Sequence, residues 1–147
     1  WEGNVVRGVG LFASSSLWAA DGVLPGSGTQ PDPYLIEDFN DLETFADSAD
    51  SATYWASGVY TRLDCDIDLD PALEGRRTYT TAVIASDTPD TSEYYDGVPF
   101  EGVFDGGGHV IRNLTIDTAG AHNRFLGLFG QMEGRGAEVK NLGVENL

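Results

Sequence analysis

Several residue types on which common functional sites depend are scarce in this chain of 147 residues. A single cysteine, Cys65, excludes an intrachain disulfide and a cysteine-based metal site. No apolar run approaches the ~20 residues of a membrane-spanning helix, so no transmembrane segment is expected. Only 8 residues are Lys or Arg against 24 Asp or Glu, and the net charge of −16 disfavours nucleic acid and anionic membranes as partners. The charge favours solubility, association with cations, or a basic or sugar partner.

The residues that are abundant indicate a folded β-rich chain. Hydrophobic residues make up 41% and aromatic residues 11%, which is enough for a core and argues against disorder. The 19 glycines favour many tight turns, as in repetitive β architectures. The length corresponds to about one domain.

The N-terminal segment differs from the rest of the chain. Residues 1–24 are predicted to form a strand-like arm, and residues 25–147 a β-solenoid domain, with a Gly- and Pro-rich connection between them. Arg7 precedes a mildly apolar stretch that ends in Ala19-Ala20, as in a signal peptide. Serines and glycines weaken that stretch, so we interpret it as part of the mature chain.

Three further elements are predicted in the N-terminal half. A short strand is expected at 33–36, and another around 79–85. A helix is expected at about 38–49, with Asp38 as its N-cap. Its apolar stripe has helical spacing and should pack on a sheet edge or a solenoid end; it consists of Leu42, Phe45, Ala46 and Ala49.

The stretch 60–70 alternates between apolar and acidic residues, which predicts one strand with a buried and an acidic face. The buried face comprises Leu63, Cys65, Ile67 and Leu69, with Cys65 as a small core residue. The acidic face comprises Asp64, Asp66, Asp68 and Asp70. These carboxylates form a tentative calcium face, although neither the EF-hand pattern nor a repeated nonapeptide is present. The alternative is a solvated face that is neutralised in part by Arg62, Arg76 or Arg77.

The C-terminal half contains an internal repeat. Residues 111–117 (IRNLTID) match residues 139–145 (VKNLGVE) in class at most positions. The two copies are offset by 28 residues, and internal repeats at an interval of about 20–50 residues indicate stacked units. Period-two strands between glycine-rich corners favour a β-solenoid. We expect equivalent residues to stack on one another, Asn113 on Asn141 and Leu114 on Leu142.

Residues 127–130 read Gly-Leu-Phe-Gly and lie between FEGVFDGGGHVIRNLTI (100–116) and VKNLGV (139–144). Together with GTQPDPYLI (28–36), the following helix and DIDL (66–69), this order resembles the GLUG-motif modules of secreted bacterial surface proteins. The resemblance implies a right-handed parallel β-helix on an extracellular protein, with Leu128 and Phe129 in the repeat stack and no conserved chemistry. The chain departs from the pattern in having one clear GLUG unit and in its first 24 residues.

Other candidate sites have simpler interpretations. The sequence DGGGH (105–109) lacks the Lys of a phosphate-binding loop and is predicted to be a glycine corner. No Ser, His and acid are spaced as in a nucleophile elbow, whereas a carboxylate pair for glycoside hydrolysis stays open. The sequon at Asn113 is interpreted as coincidental. Six aromatic residues are candidates for stacking on sugars or for packing: Trp1, Trp18, Trp55, Tyr60, Tyr94 and Tyr95.

These observations favour a non-catalytic, secreted structural protein that binds copies of itself, with no cofactor. The N-terminal arm is expected to add a strand to the open solenoid end of a neighbour, which gives a filament. The predicted interface consists of Val5, Val6, Val9, Leu11, Phe12, Leu17, Trp18, Val144 and Leu147. One alternative is a calcium- or carbohydrate-binding adhesin module, and another is a fragment of a polysaccharide-active β-helix enzyme.

Overall fold

A computed structural model describes residues 22–147, and the predicted arm residues up to Trp18 lie outside the described part. The described chain is mostly β, as expected from the sequence. The strands are β1 (Tyr34–Ile36), β2 (Tyr60–Leu63), β3 (Ile67–Asp68), β4 (Val103–Asp105), β5 (Val110–Arg112), β6 (Glu138–Lys140) and β7 (Gly143–Glu145). The helices are α1 (Phe39–Ala46), a 3-10 turn (Ser48–Asp50) and α2 (Ser51–Tyr54). No helix within 22–147 is long and apolar enough to cross a membrane.

The strands form two sheets in which every pairing is parallel. One sheet has four strands in the order β1-β2-β4-β6, and the other has three in the order β3-β5-β7. The chain passes from the first sheet to the second three times, from β2 to β3, from β4 to β5 and from β6 to β7. Each such passage, with the segment that returns to the first sheet, is called a coil below.

The segments that return to the first sheet are joined by single parallel bridges. Tyr79 is bridged to Ile116, and Ile84 to Phe129. The strand predicted around 79–85 is therefore wrong, since only isolated bridges occur there. Within this stretch the backbone forms bridges to the next returning segment only at Tyr79 and Ile84, and the residues between these two points form no bridge, so no continuous ladder forms.

The predicted helix is confirmed in type and position, although it ends at Ala46 rather than at Ala49. The Asp38 side chain accepts a hydrogen bond from the Asp41 N–H at 2.9 Å, as an N-cap does. Leu42 and Phe45 are fully buried, and α1 lies against the edge strand β1. The helix thus covers one end of the four-stranded sheet.

One apolar core runs between the sheets. Phe104 and Ile111 contribute from opposite sheets and are both fully buried. Phe45 lies with its ring centroid 5.4 Å from that of Phe104, so the helix joins the same core. Burial of each such side chain stabilises the fold by about 1.5–3 kcal/mol.

The single strand predicted over 60–70 is wrong, because the chain turns a corner between Leu63 and Ile67. β2 pairs with β4 and β3 with β5, so the two halves of the stretch belong to different sheets. Leu63, Ile67 and Leu69 are buried as expected, whereas Cys65 is half-buried at the corner and packs against the core. Period-two alternation continues through the corner and therefore hides it.

The glycine corner predicted at 105–109 is confirmed. It connects β4 to β5, and the Gly107 N–H donates to Asp105 Oδ1 at 2.9 Å. This corner belongs to the coil after the one that turns at Asp64–Asp66, since β4 pairs with β2 and β5 with β3. The boundary proposed at residue 24 stays a prediction.

Candidate functional site

A ladder of polar side chains joins successive coils where the chain leaves the three-stranded sheet. Asn146 Nδ2 donates to Asn113 Oδ1 at 3.2 Å, and Asn113 Nδ2 donates to Asp68 Oδ1 at 2.8 Å. These residues follow or end β7, β5 and β3, which are neighbours in the sheet. The predicted stacking of Asn113 on Asn141 is wrong, because the register pairs Arg112 with Glu145 and so brings Asn146 to Asn113.

Asn141 belongs to the preceding corner, between β6 and β7. Its Nδ2 donates to Asp105 Oδ1 at 3.0 Å. Asn113, Asn141 and Asn146 have φ values of 62°, 54° and 54°, in the left-handed region that Asn tolerates better than most residues. The repeated Asn therefore fits a corner in two ways, through its backbone conformation and through its side-chain bond to the coil below.

The leucines that follow these asparagines do not stack on each other as predicted. Leu114 is buried, whereas the backbone of Leu142 lies directly against Gly106 of the neighbouring coil. A Cβ atom on Gly106 would lie 2.5 Å from the Leu142 Cα and 2.6 Å from the Asn141 carbonyl oxygen. Gly106 is thus required by the close approach of the coil above it.

The amide of Asn113 is in use on both sides of the ladder. A glycan on its Nδ2 would replace one of the two hydrogens of this nitrogen and crowd the bond to Asp68. This geometry favours the structural interpretation of the sequon over a glycosylation site.

The four aspartates of the predicted calcium face have separate partners. Asp64 accepts from Arg62 at 3.1 Å, and Asp70 accepts from the Ala72 N–H at 2.9 Å. Because the corner divides them, they do not form one row on one strand. Among residues 22–147, no group of three or more His, Cys, Asp or Glu side chains is arranged to hold a metal ion.

Asp66 and Asp68 bond instead to the next coil. Asp66 accepts from the Val110 N–H at 3.0 Å and lies 3.2 Å from His109 Nδ1 and 3.4 Å from Arg112 Nη2. The Val110 N–H, with the two side chains, lowers the pKa of the Asp66 carboxyl below its ordinary value. The Asn113 amide does the same to the pKa of Asp68. Both carboxylates therefore connect coils.

The Gly-Leu-Phe-Gly residues lie in a segment that returns to the four-stranded sheet, and they contact the preceding returning segment at Ile84. Leu128 is buried, and the Phe129 ring lies 5.2 Å from the Phe100 ring. The Gly130 N–H donates to the Ile84 carbonyl at 2.9 Å, and a Cβ on Gly130 would lie 2.2 Å from the Ala85 carbonyl oxygen. This segment therefore combines two core side chains with a glycine at a close backbone contact.

β6 and β7 are the outermost strands of their sheets in the described part of the chain. Gly143 N–H donates to the His109 carbonyl, and the Glu145 carbonyl accepts from Asn113 N–H. In a parallel ladder alternate residues bond to the same neighbour. The N–H and C=O of Val144 therefore point away from β5, toward the open side of the sheet.

Of the predicted interface residues, Val144 and Leu147 lie in the described part and are exposed at 41% and 78%. Beside them is a groove of about 210 Å³ lined by Leu114, Ile116, Leu126, Gly127 and Leu147. The described residues thus carry an open strand edge next to an apolar groove. The other predicted interface residues, between Val5 and Trp18, are outside the described part.

The candidate sugar-stacking residues divide into buried and exposed groups. Trp55 is buried, and its Nε1 donates to the Phe45 carbonyl at 2.7 Å. Tyr95 donates to the Val98 carbonyl at 2.8 Å. Tyr94 is 80% exposed, and Tyr60 is partly exposed on β2. Trp1 and Trp18 are outside the described residues.

Comparison with known proteins gives one informative similarity. The chain is 30% identical over 151 residues to Halomucin of Haloquadratum walsbyi (strain DSM 16790 / HBSQ001). The aligned region includes 98% of this chain and 2% of Halomucin, so the chain spans a very small part of that relative. No family model and no solved structure matches the chain.

Proposed function

We propose that the chain is a non-catalytic structural module of an extracellular or cell-surface protein. The similarity to Halomucin supports this, because the name of that relative is that of a mucin. Two of the four carboxylates predicted to bind calcium, Asp66 and Asp68, instead bond to the next coil. The net charge of −16 suits the solvated surface of a secreted protein.

In this proposal the two parallel sheets are faces of one right-handed β-helix. The alternation of the chain between them supports this, because each passage adds one strand to each sheet in order. Crossovers between parallel strands of a sheet are right-handed in about 98% of cases. The GLUG resemblance belongs to the same proposal, and the core positions of Leu128 and Phe129 are compatible with it.

Modules are joined end to end at the open edge of β6 and β7. The observation that carries this step is the outward-pointing backbone of Val144 beside the apolar groove. The proposed occupant is the N-terminal segment 5–18 of the next module, which pairs with the edge as an added strand. The same junction serves separate chains and consecutive modules of one long chain, of the kind that the extent of Halomucin suggests.

Charge supports this choice of occupant. Residues 1–20 contain Glu2 and Arg7 as their only charged side chains, so the whole net charge of −16 lies in residues 21–147. Strongly acidic modules repel one another, and a neutral apolar segment is the part of the chain that approaches another module at least electrostatic cost.

Sedimentation velocity and negative-stain imaging of the whole chain test the junction. We expect concentration-dependent end-to-end oligomers that disappear when residues 1–20 are deleted. V144P removes the edge N–H and should also prevent assembly, because Pro is tolerated on an edge strand but cannot donate. V144T is the matched control, since it retains the N–H and should assemble. Oligomers that persist after the deletion, or a wild-type chain that stays monomeric, would contradict the proposal.

A further inference from the structure

The outer face of the four-stranded sheet carries a groove that the proposed structural role does not use. The strand register places Arg62 opposite Asp105 and Asp105 opposite Lys140, on β2, β4 and β6. Their neighbours Thr61 and Phe104 point into the core, so these three alternate outward. Adjacent strands are about 4.8 Å apart, so the charged groups stand at regular intervals along the stack.

The groove above this row has a volume of about 220 Å³, and its lining includes Tyr60, Gln30 and Pro33. This volume is below the roughly 300–1,000 Å³ of pockets for drug-sized ligands. It therefore suits one small ring over the row, with continuation along the open face.

The row presents donors on both sides of a fixed acceptor. The Asp105 carboxylate accepts hydrogen bonds from Asn141 Nδ2 and from the Gly107 N–H. These hydrogen bonds, with the charges of Lys140 and Arg62, keep the pKa of Asp105 below its ordinary value. The carboxylate is thus an ionised acceptor at neutral pH. Arg62 and Lys140 supply only donors.

Neighbouring carboxylates already neutralise both cations. Arg62 lies 3.1 Å from Asp64, and Lys140 Nζ lies 3.6 Å from Glu138. Two cations therefore stand among three carboxylates, and the chain as a whole carries −16. A polyanion has no surplus positive charge to bind here, so the charges select a neutral ligand.

We propose that this face binds a neutral polysaccharide that runs along the stack, with successive sugar rings over successive strands. Sugar hydroxyls both donate and accept, which matches the donor, acceptor and donor order of the row. The partly exposed Tyr60 ring offers an apolar surface for the C–H face of a sugar. The strand spacing is comparable with the length of one pyranose unit, so each coil places one charged side chain of the row under one ring.

Isothermal titration calorimetry with cellohexaose and chitohexaose tests this proposal, with hexagalacturonate as the charged counterpart. We expect at least one neutral hexasaccharide to bind, and hexagalacturonate to bind at least about tenfold more weakly. The double variant Y60L/K140M should reduce the affinity for the neutral ligand by at least about tenfold, which corresponds to about 1.4 kcal/mol.

Y94L is the matched control, because Tyr94 is 80% exposed and is not part of the groove lining. It should bind as the wild type does. If Y60L/K140M fails to fold, K140M alone retains the test, since it removes one partly exposed donor. The proposal is overturned if neither neutral hexasaccharide binds, if hexagalacturonate binds more tightly, or if folded K140M and Y60L/K140M bind as the wild type does.

Discussion

Asn146 donates a hydrogen bond from Nδ2 to Oδ1 of Asn113, 3.2 Å away and 33 positions earlier in the chain. Asn113 continues the row through its own donation to Asp68. The asparagine corner thus repeats in space from coil to coil. These side-chain bonds support the same stacking as the backbone ladders of the sheets.

N113A should lower the free energy of unfolding by about 3–4 kcal/mol. The substitution removes two side-chain hydrogen bonds worth roughly 1 kcal/mol each and places Ala at φ 62°, which costs roughly 1–2 kcal/mol more. N113G loses the same bonds without the backbone strain and should be intermediate. Urea unfolding measures all three proteins, and an N113A protein as stable as N113G would contradict the conformational part of the argument.

G106A should destabilise the fold by about 1–3 kcal/mol or more, because the new methyl group meets backbone that cannot move freely. The contact is with the Leu142 Cα at 2.5 Å. G136A is the matched control, since its Cβ would meet only Ser57 Oγ at 3.9 Å, and it should change stability by less than about 0.5 kcal/mol. Equal unfolding midpoints for the two variants would show that the coils are not packed as closely as described.

Because of Asp41, the fold should be more stable in mild acid than at neutral pH. Burial, with the charges of Asp38 and Glu37, raises the pKa of Asp41 to about 6 from 3.8. The folded state therefore binds the proton more tightly than the unfolded state, so this contribution to stability falls as the pH rises from about 4 to 6. The total is at most about 3 kcal/mol, at roughly 1.4 kcal/mol per pKa unit.

D41N should remove this part of the pH dependence and be more stable than the wild type at neutral pH. D96N, which changes an exposed carboxylate, is the control and should retain the wild-type profile. The check is urea unfolding at a series of pH values. If the free energy of unfolding of D41N depends on pH as in the wild type between about pH 4 and 6, groups other than Asp41 cause that dependence.

Added salt should raise the melting temperature by several degrees between about 0.05 and 0.5 M NaCl. The net charge of −16 produces self-repulsion that salt screens, with a Debye length of about 10 Å at 0.1 M. The double variant E74Q/D96N carries −14, because it removes two of the 16 excess negative charges, and its salt dependence should be weaker. A melting temperature that is flat or falls with salt would mean that repulsion is not significant in the folded state.

The local sequence pattern is sufficient to predict the helix. Asp38 and the apolar spacing of Leu42 and Phe45 were sufficient for the helix, because capping and amphipathic periodicity are short-range properties. The same kind of pattern failed over 60–70, since residues alternate between core and solvent through a corner as they do along a strand. Only the pairing of β2 and β3 with different partners reveals the turn.

Stacking depended on information that the repeat alone does not contain. The sequence match relates Asn113 to Asn141, whereas the backbone register brings Asn146 to Asn113. The sequence signal for the true stacking partner of Asn113 is Asn146, which directly follows β7 as Asn113 follows β5. Lys140 joined Arg62 and Asp105 in the same way, through sheet register between residues far apart in the chain.

The most direct test of the account is amide hydrogen exchange at Val144 as a function of protein concentration. Its N–H points away from β5 and is the group that a strand from the next module would pair with. The account predicts rapid exchange in dilute monomer and strong protection in the oligomer, with the amides of Gly143 and Glu145 on the inner side changing much less. Oligomers in which the Val144 amide still exchanges as rapidly as in the monomer would contradict the end-to-end junction.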